Sequence, residues 1–228
     1  MYISGLQKLT LLDFPGRLAA TVFLGGCNFR CPFCHNATLV LSPAKCENIS
    51  EERFFEFLRS RQGKLGGVCV TGGEPTLYPD LKDFIKKIKD MGFAVKLDTN
   101  GTNPTLLASL IDEGLVDYVA MDIKNSPEKY PVTVGVNADM EKIGRSVSLL
   151  LEGKVDYEFR TTVVRELHTE DDFLAISEWI KGAKRYFLQT FEDSGDLIGQ
   201  GFSAYSREES EGILRKILPN VPNAQIRS

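Results

Sequence analysis

The run Ala19-Ala20-Thr21-Val22-Phe23-Leu24 leads directly into Gly25-Gly26-Cys27-Asn28-Phe29-Arg30-Cys31-Pro32-Phe33-Cys34-His35-Asn36. Its first six residues are apolar and β-favouring, as a strand buried on both faces of a parallel sheet has to be. The residues after it are rich in turn formers and carry three cysteines on one short loop. A buried strand that delivers a reactive loop at its C-terminal end is the opening unit of a parallel βα architecture. Clustered thiolates are soft ligands that select zinc, copper(I) or an iron–sulfur cluster. Structural zinc sites and ordinary cubanes close with four protein ligands, so a set of three leaves one metal corner for other chemistry. With His35 or Cys46 as a fourth ligand, the same loop would instead make a closed zinc site.

Outward from this loop the βα pattern repeats. Further strands are predicted near residues 67–71, 93–98, 117–123, 155–163 and 184–190, each short and rich in Val, Ile, Phe or Tyr. Between them Leu81, Phe84, Ile85 and Ile88 keep the spacing of a one-faced helix, as Ile143, Val147, Leu150 and Leu151 do less perfectly, and Phe173, Ile176 and Ile180 mark another. Asn103-Pro104, Thr169 and the box Ser206-Arg207-Glu208-Glu209 are helix starts. Six strands and six helices are too few for the eight units of a closed barrel. The expected fold is therefore α/β, an open or partial parallel (βα)6 barrel whose site lies at the C-terminal ends of the strands.

A chain of 228 residues with 43% hydrophobic and 25% charged residues can bury one sizeable core, and residues 1–228 read as one domain. A net charge of −4 and a pI near 5.4 provide no electrostatic footprint for nucleic acid. The first residues lack the pattern of a signal peptide and no run has the length of a membrane span, so the cytoplasm is the expected compartment. Five cysteines, three of them clustered, do not form a secreted disulfide framework. Cys69, in Val68-Cys69-Val70, reads as a small buried hydrophobe and Cys46 as a loop thiol.

Other motifs fall at the predicted strand ends. Thr71-Gly72-Gly73-Glu74-Pro75 follows the second strand, where glycines let backbone approach a ligand closely and leave carbonyls and the Glu74 carboxylate to meet an ammonium group. The third strand ends in Asp98-Thr99-Asn100-Gly101 and the fourth in Asp122-Ile123-Lys124. Carboxylates buried there cost several kcal/mol by order of magnitude unless paired, so Asp98 and Asp122 should have partners. The plainer reading has Asp98 capping the Asn-Gly turn and Asp122 pairing with Lys124 on a surface loop. Arg160, in a β-favouring run, either forms salt bridges inside the barrel or reaches a ligand carboxylate. His35 reads as structural and His168, just before a helix start, as exposed. No Ser–His–Asp arrangement, P-loop or glycosidase carboxylate pair is present.

The spacing C-x3-C-x2-C, with Phe33 before its last cysteine, resembles the signature of the radical S-adenosylmethionine (radical SAM) superfamily. Gly5-Leu6-Gln7-Lys8, Leu12-Asp13-Phe14-Pro15-Gly16 and Cys34-His35-Asn36 look like the activases of glycyl-radical enzymes, and the opening is most similar to anaerobic ribonucleoside-triphosphate reductase activating proteins. The resemblance implies a [4Fe–4S] cluster on Cys27, Cys31 and Cys34, with SAM on the remaining iron. It implies that Gly72, Gly73 and Glu74 hold the methionine amine, and that Asp98, Thr99, Asp122 and Lys124 lie around the methionine carboxylate and ribose, with Arg160 a further candidate for that carboxylate. In some members a monovalent cation sits at the positions of Asp98 and Asp122. Some activases place a nucleoside-contacting histidine near the position of Phe191, so that contact stays open in this chain.

The implied reaction is one-electron cleavage of SAM, and the implied target a glycine Cα–H of a partner such as the anaerobic ribonucleotide reductase. Flavodoxin or ferredoxin is the implied electron donor. A radical SAM enzyme acting on another peptide, RNA or a small molecule, and a zinc-stabilised binding module, are the alternatives.

Overall fold

The computed structural model describes residues 1–227 as one eight-stranded sheet whose strands lie in sequence order. They are β1 (Ile3–Thr10), β2 (Ala19–Leu24), β3 (Gly67–Gly72), β4 (Ala94–Thr99), β5 (Tyr118–Asp122), β6 (Asp156–Val163), β7 (Tyr186–Thr190) and β8 (Ala224–Arg227). Strands β2 to β8 are parallel, and β1 returns antiparallel to β2, pairing Ile3 with Leu24 and Thr10 with Ala19. The sheet is unclosed, so β1 and β8 form its two edges.

The six predicted strands are β2 to β7, and each is followed by a longer helix. These are α2 (Glu51–Arg59), α3 (Leu81–Asp90), α4 (Pro104–Asp112), α6 (Met140–Leu151), α7 (Glu170–Trp179) and α8 (Arg207–Ile217), while α1 (Ala37–Leu41) and α5 (Tyr130–Val134) are single short turns. Their starts follow the local chemistry. The Asn103 side chain accepts from Leu106 N at 3.2 Å, and both Thr169 and Ser206 close capping boxes. α3 buries Leu81, Phe84, Ile85 and Ile88 on one face, each contributing ~1.5–3 kcal/mol of apolar burial.

The two edge strands go beyond the six expected. β1 exposes Gln7, Lys8 and Leu9, as an edge strand with one wet face can, and its Gly5 weakens the strand signal further. β8 has only four residues and follows Pro222-Asn223, so it offers almost no periodicity to read.

The loop from β1 to β2 folds across the N-terminal end of the barrel. Phe14 is 3% exposed and packs with Ala19, Ala94 and Tyr118, its ring 6.2 Å from that of Tyr118. Thr21 Oγ1 donates to the Asp13 carboxylate at 2.5 Å. Above this plug the inward positions are polar. Glu158 accepts from Tyr118 Oη at 2.8 Å and from both Arg227 Nη atoms at 3.0 and 3.2 Å. Among the described residues no helix is long and apolar enough to cross a membrane.

Candidate active site

The cysteine loop leaves β2 at the C-terminal rim and is anchored on both sides of the thiols. Phe29 and Phe33 are each 3% exposed, and Phe29 meets Tyr130 edge-on at 6.3 Å. Arg30 N donates to Val134 O at 2.8 Å, which ties the loop to α5, and Gly199 N donates to Pro32 O at 2.7 Å, which ties it to the segment after β7. Asp196 in that segment accepts from Thr38 N at 3.1 Å and from Thr38 Oγ1 at 2.9 Å. Cys27, Cys31 and Cys34 all line one cleft. Burial pushes the Cys27 thiol up to about 11 and the Cys31 thiol up to about 12, so metal binding there has to displace protons. Among the described residues no group of three or more His, Cys, Asp or Glu side chains is gathered as a single-ion site requires.

The Gly-Gly-Glu turn forms the next wall. Gly73 N donates to Leu24 O at 2.8 Å and Glu74 N to Gly26 O at 2.9 Å, so the end of β3 is bonded to the root of the cysteine loop. A Cβ on Gly73 would overlap the Gly26 carbonyl, which explains why this position has to be glycine.

Gly72 and Gly73 line the cleft as expected, but the Glu74 carboxylate does not. It is fully buried behind the wall. Its Oε1 accepts from Thr76 N at 3.0 Å, Thr76 Oγ1 at 2.5 Å and Thr99 Oγ1 at 2.8 Å, and its Oε2 accepts from Asn100 N at 2.6 Å. Burial raises its pKa against these hydrogen bonds. In this geometry Glu74 clamps the ends of β3 and β4 together and turns no oxygen toward an ammonium group.

The opposite wall carries an alternating row of charges, placed by strand periodicity. Lys96 and Asp98 are two apart on β4 and share a face, as do Asp122 and Lys124 at the end of β5. Asp98 stands beside Ala120 and Asp122 beside Arg160 in the sheet register, and the small Ala120 leaves Arg160 room to reach both carboxylates. Lys96 Nζ pairs with Asp98 Oδ1, Arg160 Nη1 with Asp98 Oδ2 at 3.1 Å, Arg160 Nε with Asp122 Oδ1 at 2.9 Å, and Lys124 Nζ with Asp122 Oδ2 at 2.9 Å. Burial works to raise both carboxyls, yet Arg160 with Lys96 at Asp98, and Arg160 with Lys124 at Asp122, hold them below the usual carboxylate range. The expected partners of Asp98 and Asp122 are thus present. Three cations face two carboxylates and leave one positive charge over, on a row that ends beside the thiols.

Thr99 also lines the cleft, with its hydroxyl donated to Glu74. Of the eleven sequence candidates, ten come together here and Glu74 stands behind them. Sequence reading missed Thr71, Asn100 and above all Lys96. Asn100 Nδ2 reaches Asn28 Oδ1 at 2.8 Å, and Thr71 Oγ1 reaches Asp98 Oδ2 at 3.2 Å. The signal for Lys96 was its position two residues before Asp98 on one strand.

His168 is a correction: it is 1% exposed. A tight turn draws it inward, with Nδ1 accepting from Val164 N at 3.2 Å and Nε2 2.9 Å from Lys124 O. A hydrogen on Nε2 donates to Lys124 O and leaves Nδ1, which also lies 3.1 Å from Val164 O, to accept from Val164 N, and burial lowers the ring's pKa. His168 therefore fixes the backbone of Lys124. Phe191 is 5% exposed and lies edge-on to His35 at 5.5 Å, so it backs His35, which faces the cleft. Cys69 is fully buried as expected, but against charge, 3.7 Å from both Lys96 Nζ and Asp98 Oδ1.

A thiol-lined cleft at the strand ends of an unclosed parallel barrel defines a class that comparison with known proteins confirms. Residues 21–180 match the family model described as the radical SAM superfamily, and the chain belongs to that superfamily. A Methanocaldococcus jannaschii protein assigned as a glycyl-radical enzyme activating enzyme is 36% identical over 197 residues, covering 83% of this chain and 80% of that one. The pyruvate formate-lyase-activating enzyme of Streptococcus mutans is 26% identical over 202 residues, 83% of this chain and 75% of that protein. Within the superfamily, the chain is thus an enzyme of the glycyl-radical enzyme activase family.

Among solved structures, QueE from Escherichia coli superposes with a TM-score of 0.60 at 18% identity, over 100% of this chain and 94% of that one. Streptococcus suis SuiB bound to S-adenosylmethionine superposes with a TM-score of 0.69 at 12% identity, over 91% of this chain and 52% of that one. At these identities the likeness is one of fold. Membership of the superfamily implies a [4Fe–4S] cluster and SAM as the cofactors.

Proposed function

We propose that the cleft holds a [4Fe–4S] cluster on Cys27, Cys31 and Cys34, binds SAM on the iron left without a protein ligand, and generates a glycyl radical on a partner enzyme. The chemistry of the donor set fits. Three thiols line one cleft, and cysteine thiolates are the ligands that hold iron–sulfur clusters. The observation that carries the reading is the convergence of these thiols with the Lys96–Asp98–Arg160–Asp122–Lys124 row on one cleft. Bound and reduced, such a cluster would supply the one electron needed for reductive cleavage of SAM.

The protein's share is placement and exclusion. The surplus positive charge of the row faces the methionine carboxylate, with Lys124 and Arg160 the cations that line the cleft together with the thiols. Gly72 and Gly73 bring backbone to the methionine amine, and Thr99 and Asn100 border the nucleoside side. At the far end of the barrel Phe14 packs against Ala19, Ala94 and Tyr118 and covers the starts of β2, β4 and β5.

The partner proposed is the anaerobic ribonucleoside-triphosphate reductase, with flavodoxin or ferredoxin as electron donor, and residues 1–228 working as one core domain in the cytoplasm. The decisive experiment is electron paramagnetic resonance of the reduced, cluster-loaded protein mixed with SAM and that reductase. A glycine-centred doublet on the reductase is expected. SAM cleavage without a doublet moves the assignment to another substrate, and colourless, zinc-loaded protein after anaerobic purification refutes the radical reading.

A further inference from the structure

Asp98 and Asp122 are the two carboxylates in the cleft, and the resemblance to the activases places a monovalent cation beside them. The residues present do not fit such an ion. Asp98 Oδ1 is held by the Lys96 ammonium, with the Cys69 thiol at 3.7 Å, and Oδ2 accepts from Thr71 Oγ1 at 3.2 Å and Arg160 Nη1 at 3.1 Å. Asp122 Oδ1 accepts from Arg160 Nε and Oδ2 from Lys124 Nζ, both at 2.9 Å. Every carboxylate oxygen is thus engaged by a side-chain cation. A dissolved ion would have to shed its water, crowd beside the cations already on these oxygens and add a further charge to a row already one positive charge over. Lys96 differs from the other two cations. It is 1% exposed, lies below the cleft wall rather than on it, and has Asp98 as its one salt-bridge partner among the described residues.

We propose that the Lys96 ammonium is a tethered replacement for a free monovalent cation at Asp98, making SAM binding by this chain independent of alkali ions. This rests on the reading of the cleft as a SAM site. A lysine two residues before Asp98 on the same strand holds its charge at the carboxylate whatever the salt composition, and leaves the outer face of Arg160 for the ligand. Lys96 is a positioning residue in this scheme, acting on SAM through Asp98 and Arg160.

The test measures SAM affinity of the cluster-loaded protein in KCl, in NaCl and in choline chloride at equal ionic strength, choline being too large to enter the row. The wild type should bind equally in all three. Lys96→Met should keep its iron and sulfide, lose about tenfold or more in affinity in choline, and recover most of it in KCl or NaCl.

Wild-type affinity that collapses in choline overturns the proposal without any variant. So does Lys96→Met binding as the wild type does in choline, or binding weakly in every salt alike, which would make Lys96 a brace and no cation substitute. Absence of SAM binding by the loaded wild type in all salts defeats the SAM-site reading itself, a result distinct from salt-dependent binding.

Discussion

Glu74→Gln separates two roles for the Gly-Gly-Glu turn. The carboxylate is fully buried with four hydrogen bonds, three on Oε1 and one, from Asn100 N at 2.6 Å, on Oε2. Glutamine can keep its oxygen on the Oε1 side, where Thr76 and Thr99 converge, but its amide nitrogen then faces the Asn100 N–H, donor against donor. A hydrogen bond to a charged acceptor is worth about 1.5–3 kcal/mol, and leaving its donor buried and unpaired has a similar penalty. The neutral amide recovers part of this, because burial already disfavours the ionised carboxylate. A net loss of about 2 kcal/mol is expected, which for a chain of this size lowers Tm by about 4–8 °C. Calorimetry of the metal-free protein and SAM titration of the loaded protein together form the assay. The clamp reading predicts reduced Tm with SAM affinity largely kept in the folded fraction. An unchanged Tm with abolished SAM binding would show that Glu74 turns into the cleft and holds the ligand, refuting the reasoning.

Other perturbations probe the remaining parts. Cys31→Ala should fold but hold no intact cluster and release no 5′-deoxyadenosine, whereas Lys124→Ala should keep the cluster colour and weaken SAM binding by about tenfold or more; iron analysis and SAM titration distinguish them. Phe14→Ala removes the plug and should cost about 3 kcal/mol, read as a fall in the denaturation midpoint, with iron content unchanged because the plug lies at the opposite end of the strands from the thiols. In acid, the folded pKa values of Asp98 and Asp122 lie below their unfolded values near 3.9, so their stabilisation is complete above that pH and is lost as pH falls through the folded values. Asp122→Asn should therefore show a shallower loss of stability below about pH 4 than the wild type, and an identical acid slope would remove Asp122 from the row.

Strands β2 to β7 were legible because burial on both faces writes them as Val-, Ile- and Phe-rich runs, and five of the longer helices because an apolar face marks α3, α6 and α7 and a start signal marks α4, α7 and α8, whereas α2 was not read. β1 and β8 were not, since an edge strand can leave one face wet and four residues hold no period. The thiols, Asp98, Asp122, Lys124 and Arg160 were legible as polar residues that interrupt apolar strand ends. Lys96 escaped because a lysine within a strand normally marks a solvent face, whereas the inside of this barrel is itself charged. His168 was misread for a related reason: its neighbours Arg165, Glu166 and Glu170 are polar, and only the turn's hydrogen bonds reveal that the ring points inward. Glu74 was assigned to the right turn but to the wrong side of it, because spacing reports position along a strand and not which way a side chain turns beyond its end.

The five-membered charge row also constrains how this enzyme can evolve. Each ionised group balances the one before and the one after it, so exchanging any single member strands a neighbour in a poorly solvated interior. Natural variation at these positions should consequently arrive as compensated pairs, Lys96 with Asp98 or Asp122 with Lys124, while Arg160, shared by both carboxylates, has no simple compensating partner and should be the slowest to drift. In a collection of descendants, the order in which these positions change would record which ion pair yielded first.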